Sequence, residues 1–382
     1  MTTIPLVDLA AAQAEIAEEV RAGFDEVLAT TAFVGGKQVA AFEREYADFC
    51  GVGYCVGVGN GTDAIELALR AAGVGAGTGT GTRAATGDNV GADEVILPVN
   101  TFVATAEAVL RAGALPVFAD VDDEHLLLDP DAVGAALTER TRAVIPVHLY
   151  GQAAPVERIA AACRADTIVL EDAAQAQGAV RDGQAAGGLG LLAATSFYPG
   201  KNLGAAGDAG AVLTNDAELA RKVRLLGAHG SERKYVHESL GFNSRLDTLQ
   251  AVVLRAKLTR LARWNEARAA AAVRYDELLG DDPRVRLPAT LPGNIHVWHL
   301  YVVRIPDRDA VLARLHEQGV GAGIHYPVPL HLQPAFAGLG HAAGDFPVAE
   351  KAAGEILSLP LYPHITPEQQ RRVADELRRA LP

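Results

Sequence analysis

The chain has 382 residues, 49% of them hydrophobic and 21% charged, with a formal net charge of -13. That length suits a large core and two domains, and the acidic balance argues against non-specific nucleic-acid binding, which rests on Lys and Arg neutralising phosphates. No uninterrupted apolar stretch is long enough to span a bilayer. The start, Met1-Thr-Thr-Ile-Pro-Leu6, shows no secretory pattern. Cys50, Cys55 and Cys163 form no CxxC pair, so free thiols, a reducing cytoplasmic setting and no metal site are expected.

Apolar residues at helical spacing (Leu9, Ile16, Val20, Phe24, Val27, Leu28) predict an amphipathic helix over 8–29, with a second short one over 39–49. Val52 to Val58 reads as a strand that ends in Gly59-Asn60-Gly61. In the helix after it, 62–72, Asp63 and Glu66 have capping-box spacing. Residues 73–91 are rich in Gly and Thr without an apolar period, which predicts a surface loop. Strands at 94–98, 115–120, 143–149, 167–171, 193–198 and 209–214 then alternate with helices at 101–112, 130–138, 155–164 and 216–226. Such alternation predicts an α/β domain with a largely parallel sheet. A long helix over 245–279 leads into a smaller α+β unit, with strands near 299–305 and 320–325 and helices near 308–318, 345–356 and 366–381. The expected division is a large domain over 1–260 and a small one over 261–382.

Several strand ends carry residues suited to chemistry. Pro199 and Gly200 break the strand ending at Tyr198 and place Lys201 on a turn, ahead of the glycine-rich run 204–210. There are six lysines; the other five (Lys37, Lys222, Lys234, Lys257 and Lys351) fall in segments that read as helical or charged surface. Gly59-Asn-Gly-Thr-Asp63 joins a strand to a helix, so the Gly61 and Thr62 amides and the Thr62 hydroxyl make an anion pocket. Gly57-x-Gly59 also begins a dinucleotide fingerprint, but the third glycine falls on Thr62 and the pattern fails. Asp172 ends an apolar strand, where a carboxylate meets ligands in open α/β sheets, and Gln175 extends from the next turn. Phe102 opens a helix where an aromatic can stack on a flat ring, and Ser196 precedes Lys201 by five residues. Pyridoxal 5'-phosphate needs all of these together: an amine for the Schiff base, an acid for the ring nitrogen, a phosphate cup and a ring stack.

The blocks Gly-Asn-Gly-Thr-Asp-Ala, Asn-Thr-Phe-Val-Ala-Thr, Val-His-Leu-Tyr-Gly-Gln, Glu-Asp-Ala-Ala-Gln-Ala, Ser-Phe-Tyr-Pro-Gly-Lys-Asn-Leu-Gly and Gly-Phe-Asn-Ser-Arg-Leu-Asp occur in that order. They resemble those of the DegT/DnrJ/StrS-type sugar aminotransferases, from the N-terminal helix to the chain's end. The resemblance implies the aspartate aminotransferase-like fold (fold type I of the pyridoxal-phosphate enzymes) and a homodimer with shared active sites. It implies that Lys201 forms the Schiff base, Asp172 pairs with the ring nitrogen, Gln175 lies near the ring hydroxyl and Phe102 stacks. Ser196, Gly61 and Thr62 would hold the phosphate, with Asn243 reaching the phosphate of the neighbouring subunit. One departure from the family pattern is an insertion over 77–90.

The implied reaction is a two-stage transamination. L-Glutamate gives its amino group, leaving 2-oxoglutarate and the pyridoxamine form of the cofactor, which then aminates a ketone at C-3 or C-4 of a nucleotide-linked sugar. A deoxysugar on thymidine diphosphate, made for a secondary metabolite, is the expected substrate. His229, Arg233, Lys234 and His237 form a basic cluster suited to a diphosphate, or a solvated loop. Tyr198, His325, Tyr326 and His331 are candidates to touch the sugar. A sugar dehydratase of the same fold would carry histidine in place of Lys201. A non-catalytic regulator that binds the cofactor is the other alternative, disfavoured by the lack of an appended DNA-binding module.

Overall fold

Asp8 starts the ordered helices. In the computed structural model, which describes residues 3–75 and 92–382, its carboxylate accepts the Ala10 and Ala11 N–H groups at 3.0 and 3.1 Å and caps α1 (Leu9–Thr30). One face of α1 buries Ile16 and Val20 against Val253 and Ala256 of the long helix α8 (Thr248–Leu279). The two helices approach so closely that a Cβ on Gly23 would stand 2.4 Å from Val252 Cγ1. The expected insertion over 77–90 lies outside the described residues.

Between those helices the chain alternates as its pattern predicts. In order come α2 (Lys37–Cys50), β1 (Tyr54–Val58), α3 (Gly61–Ala71), β2 (Glu94–Pro98), α4 (Val103–Ala112), β3 (Leu115–Ala119), α5 (Pro130–Ala136), β4 (Thr141–Val144), α6 (Val156–Ala162) and β5 (Ile168–Asp172). The short strands β6 (Val180–Arg181) and β7 (Gln184–Ala185) precede β8 (Leu192–Ser196), β9 (Gly210–Thr214) and α7 (Ala217–Gly227). Seven strands form one sheet in the order β1-β9-β8-β5-β4-β2-β3. Its pairs from β3 through β8 are parallel, and β9 runs antiparallel to both β8 and β1. The inner strands are apolar on both faces because helices cover both.

Two expectations shift here. The strand expected over 143–149 stops at Val144, ahead of Pro146, which has no N–H to give a ladder. The chain then makes a single bridge, Val147 with Asp172, and a tight turn in which Tyr150 is left-handed at φ 61°. The start of α3 also differs. Asn60, not Asp63, caps it: Asn60 Oδ1 accepts the Asp63 N–H at 2.8 Å, and Asp63 instead pairs with Arg111 Nη2 at 2.9 Å.

Helix α8, at 32 residues, extends about 48 Å at 1.5 Å per residue. Its first half (Ala251, Leu254, Leu261) joins the apolar cluster of α2, β8 and β9; its second half (Ala271, Tyr275, Leu279) joins a separate cluster built on the C-terminal elements. In order those elements are β10 (Asn294–Ile295), β11 (Tyr301–Arg304), α9 (Arg308–Glu317), α10 (Pro347–Glu355), β12 (Ile356–Leu359) and α11 (Pro367–Ala380); β11, α9, β12 and α11 build that cluster, while Ala349 and Ala352 of α10 join the core under the central sheet and β10 pairs with β6. The strand expected near 320–325 does not form; Val320 and Gly323 make single bridges, to Ile4 and Ser358. The partner of β11 is β12, where Ile356 ends the expected helix one residue early. Among the described residues no helix is long and apolar enough to cross a membrane.

Candidate active site

The carboxyl ends of the parallel strands gather the site. At the end of β5, neighbouring carboxylates are held in separate environments. Glu171 is fully buried; it accepts the N–H groups of Gly187, Leu189 and Gly190 at 2.7–2.8 Å and meets His148 Nε2 at 2.8 Å. Because His148 Nδ1 accepts the Ala154 N–H, the proton sits on Nε2 and is donated to Glu171. Asp172 accepts the Ala174 N–H at 3.1 Å on Oδ1 and the Thr105 hydroxyl at 2.8 Å on Oδ2. Thr105 spends its one proton on Asp172, so Thr101, at 2.9 Å, must donate to Thr105. A relay of two hydroxyls, Thr105 in α4 and Thr101 just before it, therefore fixes the carboxylate before any ligand arrives.

Lys201 lies within electrostatic reach of that carboxylate. Its loop closes on itself through Lys201 N–H to Tyr198 O at 2.8 Å and Ala205 N–H to Phe197 O at 2.7 Å. Asn202 anchors it further, donating to Asn265 Oδ1 and Val297 O at 2.9 Å and accepting from His299 Nδ1 at 3.2 Å. Burial pushes the Lys201 amine down to about 8, against the opposing pull of Asp172. The amine is thus poised near neutrality, as a nucleophilic lysine must be. Lys257 lies in a helix, as its segment reads, but it is buried: it donates to Gly204 O at 2.7 Å and is also pushed down to about 8 by burial.

The phosphate cup is equally specific. The helix start leaves the Gly61 and Thr62 N–H groups without intrahelical acceptors. Ser196, at the end of β8, lies against them: a Cβ on Gly61 would stand 2.6 Å from Ser196 Cβ and 3.2 Å from its Oγ. Phe102 stands at the start of α4 with 51% of its surface exposed. Amine, carboxylate, free amides with a hydroxyl, and an open aromatic face together fit pyridoxal 5'-phosphate.

Residues 14–378 match the DegT/DnrJ/EryC1/StrS aminotransferase family. The chain belongs to that family. It is 46% identical over 382 residues to the UDP-N-acetyl-3-dehydro-alpha-D-glucosamine 3-aminotransferase of Acidithiobacillus ferrooxidans, covering 100% of this chain and 98% of the relative. It is 43% identical over 377 residues to the dTDP-3-amino-3,4,6-trideoxy-alpha-D-glucose transaminase of Streptomyces venezuelae, covering 98% and 95%. Among solved structures, S. venezuelae DesV in complex with a ketimine intermediate superposes with a TM-score of 0.93 at 42% identity, covering 99% of this chain and 98% of that one. This family member is accordingly a sugar-nucleotide transaminase dependent on pyridoxal 5'-phosphate, which alternates with its pyridoxamine form.

The remaining residues sort by position. Gln175 Oε1 accepts the Tyr150 N–H at 2.7 Å, which forces its Nε2 to face the Tyr326 hydroxyl at 3.1 Å. Tyr326 lies beside Phe102, ring centroids 5.3 Å apart. His325 meets Ser358 Oγ at 2.8 Å, and burial together with Lys201 lowers its pKa to about 4, so it is neutral. Tyr198 is 60% exposed, next to the lysine loop. His229, Arg233 and Lys234 sit on an exposed loop: His229 O accepts from His237 Nδ1, and Lys234 Nζ lies 5.1 Å from the Tyr235 ring. Asn243 is exposed and makes an isolated antiparallel bridge with Ala228. His331 departs from expectation: it is buried against Phe346 and pairs with Glu350 at 3.0 Å, out of reach of a sugar.

Three contributors have no distinct sequence signal. Thr105 shows only as the residue four after Thr101, the spacing of one helical face. Tyr150 acts through a backbone N–H, and His299 through a partner 97 residues away.

Proposed function

We propose that this transaminase moves the amino group of L-glutamate to the C-3 ketone of a nucleotide-linked deoxysugar, thymidine diphosphate being the carrier, and works as a cytoplasmic homodimer with shared sites. The position rests on the two relatives above, whose names both place the amine at C-3, one on a dTDP sugar and one on a UDP sugar. The chemistry rests on one observation, a desolvated Lys201 amine in the field of a pre-oriented Asp172 beside a phosphate cup.

Bound there, the cofactor supplies an electron sink for the carbanion left at the donor's α-carbon. The chain's own groups do the rest. The Gly61 and Thr62 amides and the Ser196 hydroxyl bind the phosphate, and Asn243 of a second copy adds to them. Asp172 accepts the hydrogen of the ring nitrogen. Gln175 retains one Nε2 hydrogen for the ring hydroxyl, and Phe102 covers one ring face. Lys201 would take the proton from the donor's α-carbon and, in the second half, return one to the sugar carbon that receives the amine. Tyr198, Tyr326 and neutral His325 orient the sugar, and His229, Arg233 and Lys234 take its diphosphate.

Lys201→Ala tests this directly: it should lose the yellow lysine-bound chromophore and all transfer, and a variant that still transaminates would contradict the assignment. Wild-type protein with glutamate should bleach and release 2-oxoglutarate; a stable chromophore would favour a regulator. Ketone-bearing sugar nucleotides on dTDP and UDP, with the product read by NMR, test the ring position.

A further inference from the structure

Asn243 is exposed, and among the described residues its side chain has no hydrogen bond within its own chain, yet both of its neighbours are tightly held. Phe242 faces two guanidinium groups, Arg70 at 5.7 Å and Arg111 at 6.0 Å from the ring centroid, within the range where a ring face attracts a cation. Both arginines are fastened to α3. Arg70 Nη1 lies 3.3 Å from Glu66 Oε1, and Arg111 Nη2 lies 2.9 Å from Asp63 Oδ1 and 2.8 Å from Glu66 Oε2. On the other side of Asn243, Ser244 Oγ accepts the Gly59 N–H at 2.9 Å, in the turn that leads into the same helix. The backbone adds Phe242 N–H to Leu226 O and Ser244 N–H to Gly227 O, each at 2.9 Å.

An exposed amide side chain between two anchored neighbours is pre-organised to meet a group outside its own chain. We propose that Phe242 and Ser244 are positioning residues: they fasten Asn243 to α3, the helix of this copy's phosphate cup, and so present it to the cofactor phosphate of a second copy. The inference rests on the reading above that Asn243 acts across the dimer. Neither residue touches the cofactor; each acts through Asn243 and therefore in trans.

Mixed dimers, assembled from two differently tagged chains, separate these ideas. One chain carries Lys201→Ala, so the only lysine-bound chromophore is on the other chain, and the readout is its loss after dilution. Adding Asn243→Ala to the Lys201→Ala chain should accelerate loss; no change there would overturn the shared-site reading itself. Adding Phe242→Leu or Ser244→Ala to the Lys201→Ala chain should accelerate loss about fivefold, the scale of one cation–π contact or hydrogen bond. The same substitutions placed on the chain that bears Lys201 should have the smaller effect. If Asn243→Ala acts in trans but Phe242→Leu and Ser244→Ala act equally or more strongly in cis, or not at all, the positioning role is refuted. Ser244→Ala removes one hydroxyl, so the test survives if Phe242→Leu fails to fold.

Discussion

Gly61→Ala is the smallest change that should empty the phosphate cup. Gly61 is not in the left-handed region, so its backbone admits alanine, and at a helix start Ala for Gly gains at most the about 0.5–1 kcal/mol it gains in a helix interior. Space opposes this. The new methyl would stand 2.6 Å from Ser196 Cβ and 3.2 Å from Ser196 Cα. Those atoms cannot swing away, because Ser196 is paired with Gly210 in β9, and Gly210 is itself packed so that a Cβ there would lie 2.5 Å from the Asn60 carbonyl carbon. Forcing a methyl into a packed contact of this kind costs about 1–3 kcal/mol, which outweighs the propensity gain. The relief available is to part α3 from β8, and that separates the Gly61 and Thr62 amides from the Ser196 hydroxyl. The strain therefore appears as lost cofactor affinity, about 5- to 140-fold for about 1–3 kcal/mol. Titrating cofactor-free protein with pyridoxal 5'-phosphate and following the lysine-bound absorbance measures it, alongside the melting temperature. Wild-type affinity in Gly61→Ala would refute the placement of the phosphate between these two elements.

Other outcomes follow from the same geometry. Thr105→Val keeps the shape but removes a donor from Asp172 and orphans the Thr101 proton; it should cost about 1.5–3 kcal/mol of carboxylate stabilisation, seen as a lower kcat, and an unchanged kcat would count against the relay. Lys201 and Lys257 both sit near 8 when folded against an ordinary 10.5, so between those values the unfolded chain binds more protons and stability rises with pH. The burial penalty is fully present below about pH 8 and gone above 10.5. Cofactor-free protein should accordingly melt higher as pH rises through that window, and Lys201→Met or Lys257→Met should flatten the rise; an equal slope in both variants would refute this. His331→Asn should lower the melting temperature by loosening the Glu350 contact while leaving KM for the sugar nucleotide unchanged, whereas a raised KM would return His331 to the substrate site.

Much of this protein was legible in its residue order because the responsible signals are local. Pro199-Gly200 ahead of Lys201, the apolar run that ends at Asp172, and the glycines around Asn60 each mark a strand end, and strand ends in a parallel sheet converge. Tertiary structure decided whatever depends on partners distant in sequence. It buried Lys257, read only as lying in a helical or charged surface segment, as a strut of the Lys201 loop and withdrew His331 from the substrate group into the core. It recruited Thr105 to Asp172 across 67 residues and paired β11 with the unforeseen β12. The physical reason is common to all four: an isolated residue type specifies what a side chain can donate, accept or bury, while burial and hydrogen-bond geometry, set by the packed chain, select which of those capacities is used.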